Sequence, residues 1–202
     1  MSPSLYVSTG CLHGNQPIED RLSTFRQYGL NAIELGAGVT TNGSLSHLIL
    51  NQRNRYLIHN YFPPPSNPFV LNLASPDEQI LKASIDLVTN ALFLSKRINA
   101  PFYSVHAGFV TDPIGFGPGY LICPDRVPSS NEAGSAFHRF VRALEPLLDL
   151  AKDLGIRILV ENNVCTNANR GKLLLQTANE FLALFGELRS PALGMLLDTG
   201  HL

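Results

Sequence analysis

Short runs of β-forming residues recur along this chain, and turn and helix signals follow them. Several runs are almost continuously apolar, which is typical of strands that are covered on both faces. Strands that alternate with helices predict parallel βαβ units, and this pattern restricts the fold more than any other feature of the sequence. The runs are Leu5–Thr9, Ala32–Leu35, Tyr56–Asn60, Phe102–His106, Arg157–Glu161 and Leu193–Leu197.

The segments between the runs carry helix signals. Ser75 predicts an N-cap, with Pro76 at the first helical position and Glu78 closing a capping box. Apolar residues then follow at helical spacing from Leu81 to Leu92. Three further helices are predicted in the same way: Gln16–Tyr28 before Gly29, a stripe from Phe137 to Ala151 before Gly155, and a segment capped by Thr177 and Glu180.

Six predicted strands in one domain leave a choice between an open doubly wound sheet and a barrel. The residues from Thr9 to Gly14 do not have the glycine spacing of a dinucleotide-binding turn. Four of the six runs have His, Glu or Asp at or directly beside their carboxyl end, namely His59, His106, Glu161 and Asp198. A barrel collects its strand ends around one mouth, whereas an open sheet spreads them along a line. We therefore predict a parallel (β/α) TIM-type barrel in a single domain, residues 1–202.

Composition and charge exclude several classes of protein. The chain has 202 residues, 45% of them hydrophobic and 15% charged, which favours a globular fold. The formal net charge of −1 argues against binding to nucleic acid or to an anionic membrane. Three distant cysteines, no signal-peptide pattern and no membrane-length apolar run predict a cytoplasmic protein.

Residues that suit a metal centre follow several of the strands. His59 and His106 end apolar runs, and Glu161 ends a buried one. A buried carboxylate is costly unless it is paired or bound to a cation. Asp198 and His201 lie three residues apart on a turn, so both can face one cavity. Such ligands suit Zn²⁺, Mn²⁺, Co²⁺ or Mg²⁺. Structural roles, as hydrogen-bonded histidines or a salt bridge, stay open.

Three of these strand ends carry a resemblance to a known group of proteins. The segments Ser104–Phe109 (SVHAGF), Leu159–Asn163 (LVENN) and Leu197–His201 (LDTGH) resemble successive strand-end motifs of the xylose isomerase-like TIM-barrel superfamily. This superfamily includes sugar and sugar-phosphate isomerases and epimerases and the endonuclease IV group. The segment Asn72–Glu78 (NLASPDE) is similar to one that opens a barrel helix in endonuclease IV.

The resemblance implies roles for the strand-end residues. Residues that match Glu161 and Asp198 are metal ligands in the superfamily, and the residue that matches His201 contacts substrate or binds metal. Residues that match His59 and His106 bind zinc in endonuclease IV and serve the substrate, or are absent, in many isomerases. Catalytic roles are expected for Glu161, His106 and His201. Substrate contacts are expected for His59, Asn60, His106, Asn163 and Arg170, although a solvated Arg170 is the alternative.

The resemblance also predicts more chain than this sequence contains. Such barrels have eight βα units, and this sequence supplies about six, ending just after the sixth strand. The histidine and second glutamate that family members carry on their last strands have no counterpart here. We therefore expect an incomplete barrel, as part of a longer product.

The leading functional prediction is a metal-dependent isomerase or epimerase of a sugar, sugar phosphate or related polyol. Glu161 would hold the metal and move a proton, while His106 and His201 orient hydroxyl groups. The alternatives are an endonuclease IV-like zinc phosphodiesterase acting on abasic DNA and a non-catalytic partial barrel. A small sugar is the expected partner, and self-association into a homo-oligomer is left open.

Overall fold

The computed structural model describes residues 5–12, 16–36, 49–50, 54–117 and 120–201. One sheet is built from six strands: β1 (Val7–Ser8), β2 (Ala32–Leu35), β3 (Arg55–His59), β4 (Phe102–His106), β7 (Arg157–Glu161) and β8 (Leu193–Leu196). A separate hairpin consists of β5 (Gly115–Gly117) and β6 (Tyr120–Ile122). The helices are α1 (Ile18–Gln27), α2 (Glu78–Arg97), α3 (Ser130–Leu154) and α4 (Ala178–Glu187), and short 3-10 turns span Thr9–Cys11 and Thr199–His201.

The strand order in the sheet is β1-β2-β3-β4-β7-β8, and every neighbouring pair is parallel. Each strand of the sheet therefore lies next to the strand that follows it in sequence, which is the order of a barrel wall. The predicted α/β architecture of consecutive parallel units is confirmed. The register aligns His106 with Glu161 and Glu161 with Leu196, so the polar strand ends lie side by side.

The two faces of the sheet differ in burial. The face turned toward the helices includes Ile33, Ile58, Tyr103 and Val160, each 0% exposed. On the edge strand β8, Met195 of the same face is 41% exposed. On the other face, side chains such as Glu34, His59, His106 and Leu159 are only partly buried. The expectation that these strands are covered on both faces holds in part, because Leu57 and Ser104 on this same face are buried (6% and 2% exposed). Side chains alternate across a strand, and the helices of a barrel wall cover only its outer face.

Helix α2 corrects the predicted helix start. It begins at Glu78 with Asp77 as its N-cap, because Asp77 Oδ1 accepts hydrogen bonds from Gln79 N (2.8 Å) and Ile80 N (3.2 Å). The Ser75 hydroxyl instead accepts from Asp77 N (3.0 Å) and donates to Asp112 Oδ2 (2.7 Å). The predicted Ser75 cap was wrong because that hydroxyl has a tertiary partner.

The other helix signals agree with the structure. Thr177 and Glu180 form the predicted capping box, and α3 ends at Gly155, which adopts the left-handed conformation with φ +70°. In the described ranges, every helix lacks the combination of length and hydropathy that a membrane span requires.

The loop after β4 is fastened to the chain before α2. Asn72 is fully buried, and its side-chain amide pairs with both main-chain polar groups of Phe109: Oδ1 accepts from Phe109 N (2.9 Å) and Nδ2 donates to Phe109 O (3.2 Å). Gly108 allows this approach because it has φ +114° and no side chain. Gly108 O also accepts from Leu174 N (3.1 Å) in the loop after β7. These contacts fix the backbone immediately after His106.

Candidate metal centre

All five residues predicted to bind metal lie together at the carboxyl ends of the strands. His59 ends β3, His106 ends β4 and Glu161 ends β7. Asp198 and His201 lie on the turn that follows β8. The structure brings them together as two overlapping groups that share Glu161. The first, which we call the histidine-pair triad, is His59, His106 and Glu161, and the second, the Asp198 triad, is Glu161, Asp198 and His201; ligand atoms within each group lie within 4.8 Å of one another.

Glu161 is the central residue of the cluster and is only 3% exposed. Its Oε2 lies 3.2 Å from His106 Nε2 and 3.6 Å from His59 Nε2, while Oε1 lies 3.5 Å from His201 Nδ1. None of the groups around buried Oε2 in the described structure is oriented to make a hydrogen bond to it. Leaving a buried carboxylate oxygen unpaired is unfavourable, so this atom is available to bind a cation or to accept a proton.

The distances between donor atoms fit a divalent metal. Zinc takes nitrogen and oxygen ligands at about 2.0–2.1 Å, so two ligands in a tetrahedral arrangement lie about 3.3 Å apart. The separations of 3.2 and 3.6 Å in the histidine-pair triad are close to this value, and so is the 3.6 Å between His201 Nε2 and Asp198 Oδ2. Both triads are therefore candidate metal-ligand groups.

His59 is held by Ser104 on the neighbouring strand. The register pairs His59 with Ser104, and His59 Nδ1 lies 3.0 Å from Ser104 Oγ. Burial lowers the pKa of His59, and the negative charges of Glu161 and Glu34 offset this only in part. The Ser104 hydroxyl donates to Ile58 O (3.5 Å), so it accepts from Nδ1 of the neutral imidazole. This leaves Nε2, the atom that faces Glu161, free to bind a cation.

The charge state of Glu161 also suits metal binding. Burial alone would raise the pKa of Glu161, but the nearby His106 and His59 imidazoles outweigh it, so this pKa lies below its ordinary value. Glu161 is therefore a carboxylate at neutral pH, which is the form that binds metals.

His201 has a defined tautomer. Its Nδ1 lies 2.7 Å from the main-chain oxygen of Asn162. A carbonyl oxygen only accepts hydrogen bonds, so Nδ1 carries a proton and Nε2 of the neutral ring is the free donor atom. Nε2 is the atom that lies 3.6 Å from Asp198 Oδ2. A histidine that donates one ring N–H to a backbone carbonyl is the usual arrangement around a ligated metal.

Asn162 and Ser104 belong to the site and were missed by the sequence analysis. Asn162 is 7% exposed, and its side chain pairs with both main-chain polar groups of Asp198: Oδ1 accepts from Asp198 N (2.7 Å) and Nδ2 donates to Asp198 O (3.0 Å). The only sequence signal for Asn162 is its place directly after Glu161.

A family model described as a xylose isomerase-like TIM barrel matches residues 23–202. The chain belongs to this family. The predicted membership of the superfamily is thereby confirmed. "Probable endonuclease 4" of Carboxydothermus hydrogenoformans is 29% identical over 135 residues, which are 67% of this chain and 39% of that protein. The xylose isomerase-like chain thus spans less than half of this curated relative.

Two solved structures share the xylose isomerase-like fold. A D-tagatose 3-epimerase-like protein has a TM-score of 0.71 at 19% identity, with 96% of this chain and 64% of that chain covered. An L-ribulose 3-epimerase has a TM-score of 0.66 at 18% identity, with 98% and 61% covered. At these identities the likeness shows the fold alone.

The remaining predicted site residues make local contacts. Asn60 follows His59 with φ +49°, its O accepts from Tyr103 Oη (2.8 Å), and its buried Oδ1 has no hydrogen-bond partner in the described structure. Asn163 is 4% exposed and donates from Nδ2 to Leu174 O (2.6 Å). Arg170 is exposed. None of these three is a member of either triad, and their substrate contacts stay predictions.

Proposed function

We propose that this protein is a divalent-metal-dependent isomerase or epimerase of a sugar, sugar phosphate or related polyol. The observation that carries the proposal is the position of Glu161, a buried carboxylate shared by two groups of ligand atoms. Glu161 Oε1 faces His201 of the Asp198 triad. Glu161 Oε2 faces the His59 and His106 imidazoles and has no hydrogen bond. Such a residue can hold a cation through one oxygen and exchange a proton through the other.

The residues of the site divide between these two tasks. Glu161 Oε1, Asp198 and His201 would hold the cation, which supplies Lewis-acid polarisation of a substrate carbonyl and its neighbouring hydroxyl. Glu161 Oε2 would take up and return the proton of the adjacent carbon. His59 and His106, whose Nε2 atoms flank Oε2, would orient the substrate hydroxyls.

The charges around the strand ends favour a small polyol over a polyanion. The loops after β3 (60–77), β4 (107–129) and β7 (162–177) contain only three basic residues, Arg126, Arg170 and Lys172. Arg126 is already paired with Glu132, with 2.6 Å between Nη2 and Oε1. A surface that binds DNA normally carries a larger set of free cations.

The proposal is tested by proton exchange. Protein supplied with Mn²⁺ or Co²⁺ is incubated in D₂O with a panel of ketoses, including D-tagatose and L-ribulose, and ¹H NMR follows exchange next to the carbonyl and the appearance of epimers. We expect exchange that chelator abolishes and that Glu161→Gln eliminates, whereas exposed Lys82→Ala serves as a matched surface control. Failure to bind any divalent metal, or turnover that survives in Glu161→Gln, would overturn the proposal.

Metal-dependent phosphodiester hydrolysis is the second candidate, and the histidine-pair triad favours it. In this arrangement both triads would hold cations, since two-metal sites suit phosphodiester hydrolysis. The name of the curated relative points the same way. The two candidates differ in stoichiometry: the isomerase needs one cation per chain and the phosphodiesterase two or more. Elemental analysis after equilibrium dialysis, combined with incision of an oligonucleotide that contains an abasic site, separates them.

A further inference from the structure

Asn162 connects the two strands that carry the Asp198 triad. Its side chain bonds to the main-chain N (2.7 Å) and O (3.0 Å) of Asp198. Its own main-chain oxygen accepts from His201 Nδ1 at 2.7 Å. Asn162 also directly follows Glu161 in the chain. One residue therefore contacts or adjoins every member of the Asp198 triad.

The turn after β8 has little else to fix its position. It follows the edge strand of the described sheet, and its Leu197 is 56% exposed. Within the turn, Gly200 N donates to Asp198 Oδ1 (2.6 Å), which leaves Asp198 Oδ2 to face His201 Nε2. These contacts set the shape of the turn, but they do not hold it against β7. The hydrogen bonds of Asn162 hold the turn against β7.

We propose that Asn162 is a positioning residue that acts through Asp198. By holding the Asp198 peptide against the end of β7, it sets the distance between Asp198 Oδ2 and Glu161. This inference rests on the proposed metal site. It deepens that proposal, because it names a residue that does not itself bind the cation but holds the Asp198 triad in place. Residues that orient metal ligands typically contribute a factor of about 10–100 to metal affinity.

The chain contains a matched comparison in Asn72. Its side chain makes the same pair of hydrogen bonds, to the main-chain N (2.9 Å) and O (3.2 Å) of Phe109, and it is fully buried. Asn72 makes none of its hydrogen bonds with the turn that carries Asp198. Replacing Asn72 therefore removes an equivalent clamp while leaving the Asp198 turn attached to β7.

The test is a double-mutant cycle on Co²⁺ affinity in the 202-residue chain, measured by competition with a chromophoric chelator and by the visible absorption of bound Co²⁺. The proteins are wild type, Asn162→Ala, Asp198→Ala and the double variant. We expect Asn162→Ala to weaken Co²⁺ binding about 10- to 100-fold in the wild-type background. In the Asp198→Ala background the same substitution should change the affinity less than about threefold, because the residue through which it acts is gone. Asn72→Ala should have the same effect in both backgrounds.

The outcomes are distinct. If wild type binds no Co²⁺, the proposed function fails and this inference fails with it. If wild type binds Co²⁺ and Asn162→Ala has equal effects with and without Asp198, or none, only the inference is overturned. Circular dichroism and thermal melts check folding, and Asn162→Leu, which keeps the number and branching of the side-chain heavy atoms, replaces the alanine variant in the cycle if that variant does not fold.

Discussion

Among the glycines that the structure describes, Gly108 is the one where an added methyl group meets its neighbours most closely. It lies two residues after His106 and adopts φ +114°, a conformation that side chains rarely tolerate. A Cβ built there would lie 2.3 Å from Asn72 Oδ1 and 3.2 Å from Asn72 Cα. Gly108→Ala must therefore distort the backbone and displace the Asn72 amide.

The two effects give an expected magnitude. A strained backbone conformation costs about 1–3 kcal/mol. Displacing Asn72 Oδ1 leaves Phe109 N or Ala74 N without its acceptor, and an unsatisfied buried group costs a further 1–3 kcal/mol or so. We expect Gly108→Ala to lower the free energy of unfolding by about 2–6 kcal/mol. For a chain of this size that corresponds to a fall in Tm of roughly 5–20 °C.

Urea denaturation followed by circular dichroism measures this change. Gly134→Ala is the matched control, because Gly134 lies inside α3 with no atom within 4 Å of an added Cβ. That substitution should stabilise the protein by about 0.5–1 kcal/mol. In Gly108→Ala protein, a second substitution Asn72→Ala should cost much less than it does alone, since it removes the collision. A Gly108→Ala variant within about 0.5 kcal/mol of wild type, or additive effects in the double variant, would refute the reasoning.

Three further predictions follow from the same structure. Zn²⁺ at about 100 times its dissociation constant should raise the free energy of unfolding by roughly 2.7 kcal/mol, seen as a higher Tm, and Glu161→Gln should remove this shift. Ser104→Ala removes the partner of His59 Nδ1 and should weaken binding of cations by the histidine-pair triad about 10–100-fold in a chelator competition. Asp77→Ala should destabilise the protein by about 1 kcal/mol in urea denaturation, while Asp77→Asn, which can still cap α2, should change it by less than half as much.

The sequence predicted the strands well because their signal is local. A parallel strand buried by helices is a short apolar run, and a polar residue marks its end. The predicted bounds of Phe102–His106 and Arg157–Glu161 agree with β4 and β7, and the predicted Tyr56–Asn60 is displaced by one residue from β3. Knowing the strand ends was enough to predict that His59, His106 and Glu161 lie together, because consecutive parallel strands place their ends in a row.

What the sequence could not predict depends on partners that are distant in the chain. Ser75 has the residue type and spacing of a helix cap, but its hydroxyl is engaged by Asp112, 37 residues away. The adjacent Asn162 and Asn163 are indistinguishable by residue type. The side chain of Asn162 nevertheless bonds to the main chain of Asp198, and that of Asn163 bonds to Leu174 O. Which way each side chain turns is decided by the loops packed around it, and no local pattern encodes those loops.

Glu161 belongs to both triads, and this explains how one scaffold can suit either of the two candidate reactions. A shared carboxylate can be a ligand on one side and a proton acceptor on the other, or a ligand on both sides. The choice depends on whether His59 and His106 bind a second cation or a substrate hydroxyl. Burial keeps the pKa of His59 low, so its neutral imidazole can bind either a cation or a substrate hydroxyl. The charges of the loops are then the deciding difference, because a phosphodiesterase must also attract an anionic substrate. With Arg126 paired to Glu132, the loops after β3, β4 and β7 offer little to attract one, which is why we place the isomerase first.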